Sequence, residues 1–186
     1  MKKFFILILM LLMIASNCFA IGNVVNSDEI LYEMYSNPQN FICIGSGGTG
    51  YIIYLDKSSV NVCEYNPPHY LIKFRTIGLS YAPKKEGLTY GPKGERAVRD
   101  FYRYYYYNYN TRRMYERIYD NNGNSNKEEY IDESNYLKWS NSKMPWLNGG
   151  EVAFYLAYNM SFYDKPISWL LKEYLKTGEW STFDKD

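Results

Sequence analysis

The chain has 186 residues, 46% of them apolar and 22% charged, with 22 tyrosines, 7 prolines and 13 glycines. Fractions so near the globular averages exclude a disordered, collagen-like or polytopic membrane protein. Its 21 Lys and Arg against 20 Asp and Glu leave a formal charge of +1, so no net field demands a nucleic acid or a membrane surface as partner.

The first twenty residues carry Lys2 and Lys3, an unbroken apolar run from Phe4 to Ile14, and a short polar exit ending at Ala20. This is the layout of a secretory signal peptide. The apolar run is too short to cross a ~30 Å hydrocarbon layer as a helix, which takes about 20 residues. Cleavage is expected after Ala20. That leaves residues 21–186 as one exported domain, periplasmic, at the cell surface or secreted, with no transmembrane span. Cys18 raises a lipid-anchored alternative, but Asn17 stands where a lipoprotein signal carries a small residue, which favours a soluble exported protein. Loss of Lys2 and Lys3 takes the formal charge from +1 to −1.

Apolar bursts at Phe41 to Ile44, Tyr51 to Leu55, Ser59 to Tyr65 and Tyr70 to Ile77 alternate with turn residues, the pattern of a strand meander. A single register puts Ile42, Ile44, Ile53, Leu55, Val60, Val62, Ile72 and Phe74 on one face as the core. The opposite face collects Phe41, Cys43, Ile52, Tyr54, Ser59, Asn61, Cys63, Lys73 and Arg75, a mixed surface suited to lie in or near water. Cys43 and Cys63 share that face in an oxidising compartment, where a disulfide is permitted. Direct neighbour strands would allow the bond. One intervening strand would hold the two roughly 9–10 Å apart, beyond the ~7 Å limit on Cα separation.

Residues 82–96 are broken by Pro83, Gly87, Gly91, Pro92 and Gly94 and read as a loop, with room for a short strand at its end. Val98 to Asp120 reads as a tyrosine-rich hairpin turning at Asn108 to Thr111. A polar turn at Asn121 to Asn126 precedes a final short strand at Glu129 to Ile131. In the tail, Asn148 followed by Glu151 resembles a capping box opening an all-round apolar helix from about Gly150 to Met160, which predicts burial. A second helix is expected with Asp164 as N-cap, Pro166 in its first turn, Ile167, Leu170, Leu171, Tyr174 and Leu175 as its stripe, and Gly178 as its stop.

Gly45 to Gly50 satisfies G-x-G-x-x-G, but the residues after it are β-branched and aromatic, so a hairpin loop is expected rather than a dinucleotide site. Raw materials for catalysis are few. His69 is the only histidine and follows Pro67-Pro68 in a turn. No Cys/His spacing suits zinc, no acidic loop suits calcium and no nucleophile elbow is present, so no catalytic residue, metal or cofactor is assigned. The distinctive stretch is Phe101 to Tyr119. Folded as a hairpin it sends Tyr102, Tyr104, Tyr106, Arg113, Tyr115, Arg117 and Tyr119 to one face, and Phe101, Arg103, Tyr105, Tyr107, Met114, Glu116 and Ile118 to the other. Rings, hydroxyls and guanidinium forks on the first face suit a protein or glycan partner, whereas export makes nucleic acid a poor candidate. Tyrosine also favours strands for packing reasons alone.

Two further stretches carry a resemblance. Tyr54 to Val62 followed by Tyr65-Asn66-Pro67-Pro68-His69-Tyr70, together with Gly150 to Tyr163, resemble segments of small exported bacterial proteins related to surface-adhesin protein E. The resemblance covers about a quarter of the chain. It implies an antiparallel sheet packed by a C-terminal helix, a place at the cell envelope, and adhesion to host matrix proteins in the named member; no binding residue transfers. The Tyr/Arg hairpin has no counterpart in that member.

The expected fold is α+β: an antiparallel sheet of about six strands, meander plus Tyr-rich hairpin, packed by two C-terminal helices. The expected function is a non-catalytic exported binding protein using Tyr102, Tyr104, Tyr106, Arg113, Tyr115 and Arg117. The alternative is a structural role in the envelope through self-association at the hairpin edge.

Overall fold

The computed structural model describes residues 26–47, 51–81, 91–119, 125–131 and 144–183. The predicted leader, most of the predicted loop and positions 121–124 of the predicted polar turn lie outside these residues, while Ser125 and Asn126 of that turn open a strand. Helix α1, Ser27–Ser36, is not among the sequence expectations. Its first turn holds Asp28 and Glu29, where carboxylates meet the positive end of the helix dipole. Ile30, Leu31 and Met34 form its buried stripe, and Asn37-Pro38 ends it.

Seven strands follow among the described residues: β1 Phe41–Gly47, β2 Tyr51–Asp56, β3 Asn61–Asn66, β4 His69–Tyr81, β5 Glu95–Asn108, β6 Arg113–Tyr119 and β7 Ser125–Ile131. Every pairing is antiparallel. Six strands run across the sheet in the order β1-β2-β4-β5-β6-β7, with β3 also on β4. The glycine-rich segment joins β1 to β2 as a hairpin, with Gly47 opposite Tyr51.

The meander is not a simple succession of neighbours. β5 occupies one edge of β4 along its whole length, so β2 and β3 must share the other edge end to end. Tyr51 to Leu55 pair with Ser80 to Thr76, and Asn61 to Asn66 with Lys73 to His69. A 3-10 turn, Lys57–Ser59, makes the step between them, and the Asp56 carboxylate accepts from the Ser58 backbone N–H at 2.9 Å and its hydroxyl at 2.6 Å.

This topology decides the cysteine question. Cys43 lies on β1, opposite Tyr54 of β2, while Cys63 lies on β3 against β4, so the two are not on neighbouring strands. Cys43 is a free thiol whose pKa burial pushes up, so it makes no disulfide with Cys63.

Most of the predicted core face is the core. Ile42, Ile44, Ile53, Leu55, Ile72 and Phe74 are buried with Tyr105, Tyr107 and Met114 from the hairpin, and Val60 packs at their margin, whereas Val62 is only half-buried and lies outside the cluster. The face expected to be wet is dry over half its extent. Phe41, Tyr54, Ile77 and Leu79 are buried there under Ile30, Leu31 and Met34 of α1, and Cys43 and Ile52 pack against the same cluster. The residues after Trp180 return along β1, where the Cys43 N–H donates to Ser181 O and the Phe183 N–H to Phe41 O, each at 2.8 Å. That edge of the sheet is therefore covered.

Two helices close the core face: α2, Met144–Tyr158, and α3, Trp169–Thr177. α2 begins six residues before the expected start, so Asn148 is interior to it rather than its cap. The Asn148 amide instead donates to Ile44 O at 2.8 Å. Gly149 and Gly150 are the reason the helix can lie so close. A Cβ on Gly150 would stand 2.8 Å from Met114 Sδ and 2.9 Å from a Tyr105 ring carbon. Tyr105 and Tyr107 of β5 donate their hydroxyls to Trp146 O at 3.1 Å and Gly150 O at 2.8 Å, tying helix to sheet.

Ser168, not Asp164, caps α3, with its Oγ accepting from the Leu171 N–H at 3.3 Å. Asp164 is occupied elsewhere, accepting from Arg112 Nη2 at 2.9 Å, and Pro166 biases the residue before it away from helix. Gly178 ends α3 at φ 77°, the left-handed conformation glycine adopts freely.

The capping chemistry expected of Glu151 serves the next helix rather than its own. Its fully buried carboxylate accepts from the Ile167 N–H at 3.0 Å and from the Ser168 N–H, fixing the approach to α3. Burial raises its pKa to about 7, against those two N–H groups and Lys172, which pull it down. A folded-state value above the unfolded 4.5 means that the native state binds the extra proton between these limits. The contribution of this group to stability is then greatest below about pH 4.5 and falls as pH rises toward 7, by about 3 kcal/mol. Urea midpoints of Glu151→Gln against wild type at pH 5 and pH 8 check this: the wild-type decline should flatten in the variant.

Candidate functional site

β4 and β5 pair in a register that sets His69 opposite Asn108, Leu71 opposite Tyr106 and Lys73 opposite Tyr104. β6 continues each row, with Arg113 opposite Asn108, Tyr115 opposite Tyr106 and Arg117 opposite Tyr104. β3 adds Asn66, Glu64 and Asn61 on the other side. Because pairing parity is two, all of these lie on the sheet face away from α2. The six residues singled out from the sequence, Tyr102, Tyr104, Tyr106, Arg113, Tyr115 and Arg117, therefore share one face.

They are not equally available. Tyr104 is 6% exposed and Tyr102 40%, with Lys73 Nζ 4.2 Å from the Tyr102 ring centre and 5.8 Å from that of Tyr104. Lys73 is buried there, which lowers its ammonium pKa. Tyr106 and Tyr115 are half-buried and stacked, with centroids 5.0 Å apart and planes 7° from parallel. Arg117 lies 4.4 Å from the Tyr106 ring centre and donates from Nη1 to its hydroxyl at 3.2 Å. Arg113 is exposed at the end of the row.

Toward the opposite end of this face, Arg75 is structural. Its guanidinium takes Glu33 of α1 at 2.7 Å and Asp100 of β5 at 2.7 Å, with Asp56 at 3.7 Å, and so fastens α1 over the sheet. Lys73 marks the boundary between that sealed half and the open half.

At the open end the β3–β4 and β5–β6 turns meet, joined by the Tyr109 N–H donating to Pro68 O at 2.8 Å. They border a depression of about 400 Å³ lined by Glu64, His69, Tyr70, Tyr106, Tyr107, Asn108, Thr111, Arg113 and Tyr115. Asn108 Oδ1 accepts from the Thr111 N–H at 3.1 Å, which shapes the hairpin turn at its rim. Sequence reading identified three of these residues, Tyr106, Arg113 and Tyr115. Glu64, His69, Asn108 and Thr111 were not assigned, because only the pairing of β4 with β5 over their whole length brings the two turns to one end of the sheet. Among the described residues no hydrogen bond joins His69 to Glu64 or Thr111, and no group of three or more His, Cys, Asp or Glu is placed to hold a metal ion. No helix among them is long and apolar enough to cross a membrane.

No protein-family model, curated protein or solved structure matches the chain.

Proposed function

We propose that the chain is an exported, non-catalytic binding protein of the cell envelope or surroundings, adhesin-like in the sense of the resemblance noted from its sequence. Its contact surface is the open end of the hairpin face. The observation that carries this reading is the exposed Arg113 beside the stacked Tyr106 and Tyr115 at the margin of a depression. Tyrosine and arginine present large contact area with directional donors, and both are enriched where proteins bind partners. Tyr102, Tyr104 and Arg117 support the row from behind.

The test is retention on cells and on glycan and matrix-protein arrays. Replacing Tyr106, Arg113 and Tyr115 together by alanine should lower retention at least about tenfold. Arg113→Glu alone, at an exposed position that leaves packing untouched, should lower it severalfold with an unchanged circular dichroism spectrum. Unaltered retention in both would overturn the proposal.

A second reading, self-association within the envelope, is favoured by one feature in a modified form. The hairpin strands β5 and β6 are both interior to the sheet, since β7 pairs along β6, so the hairpin has no edge to offer. With β1 covered by residues 181–183, the edges left to pair are those of β3 and β7, whose described strand partners are β4 alone and β6 alone. Light scattering at high concentration tests it; a strict monomer counts against it.

A further inference from the structure

We infer that the depression at the end of the hairpin face accepts an uncharged, hydroxyl-rich ring, which is to say a neutral saccharide unit. This deepens the proposed binding role and rests on it. About 400 Å³ lies in the range of small-ligand sites and is too confined for a flat protein–protein contact.

Charge comes next. Among the described residues the lining holds one arginine, Arg113, and one carboxylate, Glu64, with His69 between their strands. A polyanion would gain Arg113 but meet Glu64, and an organic cation would gain Glu64 and the rings but meet Arg113. A neutral ligand avoids both conflicts.

Hydrogen-bonding character then narrows the class. Arg113 only donates, Glu64 when ionised only accepts, and Thr111, His69 and the tyrosine hydroxyls can do either. Sugar hydroxyls also donate and accept, so each can be matched within one site, whereas a purely accepting or purely donating ligand would leave half the lining unmatched. The Asn108 carbonyl is already used by the Thr111 N–H, which leaves its amide hydrogens for a ligand. Finally, Tyr106 and Tyr115 line the depression as a stacked pair, so they add aromatic surface beside its polar groups, the mixture that a sugar's C–H groups and hydroxyls require. Arg117 holds Tyr106 through ring and hydroxyl contacts, so that ring is positioned before any ligand arrives.

The experiment titrates the purified protein with chitotriose, maltotriose and cellotriose as neutral probes, polygalacturonate as an acidic probe and choline as a cationic one. Binding is followed by amide NMR shifts of residues 106–115. At least one neutral trisaccharide should give saturable shifts there, nearly independent of salt between 50 and 500 mM, as expected where no net charge is neutralised. Tyr115→Ala should weaken it about three- to tenfold. Glu64→Gln, an exposed and nearly isosteric change, should weaken it severalfold without lowering the melting temperature, which separates contact from folding. Salt-sensitive binding of polygalacturonate alone, or of choline alone, at the same residues would overturn the saccharide class while leaving the binding surface standing. Shifts with none of the five probes, alongside matrix-protein retention that still depends on Arg113, would do the same. Retention indifferent to every variant on this face would overturn the surface and the ligand class together.

Discussion

Replacing Phe154 by alanine should destabilise the protein by about 3–5 kcal/mol, the range for removing a fully buried aromatic ring. Phe154 is completely buried in the middle of α2 and is the hub of the aromatic cluster that closes the open end of the core. Its ring centroid lies 5.0 Å from Tyr107, 4.9 Å from Tyr158, 5.1 Å from Phe162 and 5.6 Å from Tyr70, and it stacks on Tyr109 at 6.0 Å. These partners come from β4, β5, the hairpin turn, α2 itself and the segment after it, and several are fixed by bonds of their own. Tyr107 donates to Gly150 O, and Arg112, stacked 3.6 Å over Tyr109, donates to Phe162 O at 2.7 Å. The walls of the cavity can therefore collapse only partly, which places the cost in the upper part of the range. Domains of this kind are stable by about 5–15 kcal/mol, so the variant would be marginal. Urea unfolding should show a lower midpoint with an unchanged slope. A loss below about 1 kcal/mol would mean that α2 is not seated on this face.

Arg103→Met should cost a similar amount, about 3–5 kcal/mol, for a different reason. Arg103 and Glu116 form an ion pair on the core face, with side chains 6% and 4% exposed. The guanidinium also donates from Nε to Thr76 Oγ1 at 3.1 Å and lies 3.6 Å over Trp146 and 4.4 Å over Phe101. Methionine can fill much of the space between the two rings, but it leaves the Glu116 carboxylate in a dry place with no cation. Removing both charges, Arg103→Met with Glu116→Leu, should recover most of the loss, because a buried pair contributes little beyond a well-packed apolar replacement. The double-mutant cycle reads the coupling directly. A double variant no more stable than Arg103→Met would show that stacking on Trp146, and not charge, holds this part of the sheet.

Several local features of this architecture are legible in the sequence alone. Ile42, Ile44, Ile53, Leu55, Ile72 and Phe74 alternate with polar or smaller neighbours at period two, and a strand has no other way to segregate them than onto one face. The hairpin parity was readable for the same reason. Tyr106 and Tyr115 had to face one way and Tyr105, Tyr107 and Met114 the other, whichever even-numbered turn joined them. Gly178 was readable as a stop because glycine enters the left-handed region at no steric cost. The stripe of Ile30, Leu31 and Met34 between Asp28-Glu29 and Asn37-Pro38 was equally present in the sequence, and a helix over Ser27–Ser36 could have been predicted from it.

What a short window could not supply were partners distant along the chain. That β2 and β3 share one edge of β4 depends on β4 being long enough for both and on β5 filling the other edge. Nothing within residues 41–66 encodes that length. Asn148 and Glu151 had the spacing of a capping box, yet the backbone groups they satisfy belong to Ile44 and to Ile167 and Ser168, far away in sequence. The site divides in the same way. Alternation alone placed Tyr106, Tyr115 and Arg113 on a common face, because side-chain direction in a strand is local geometry. Only the long-range register that sets His69 opposite Asn108 brought Glu64, His69 and Thr111 to the same depression, since which turns become neighbours is decided by pairing enthalpy and burial summed over the whole sheet.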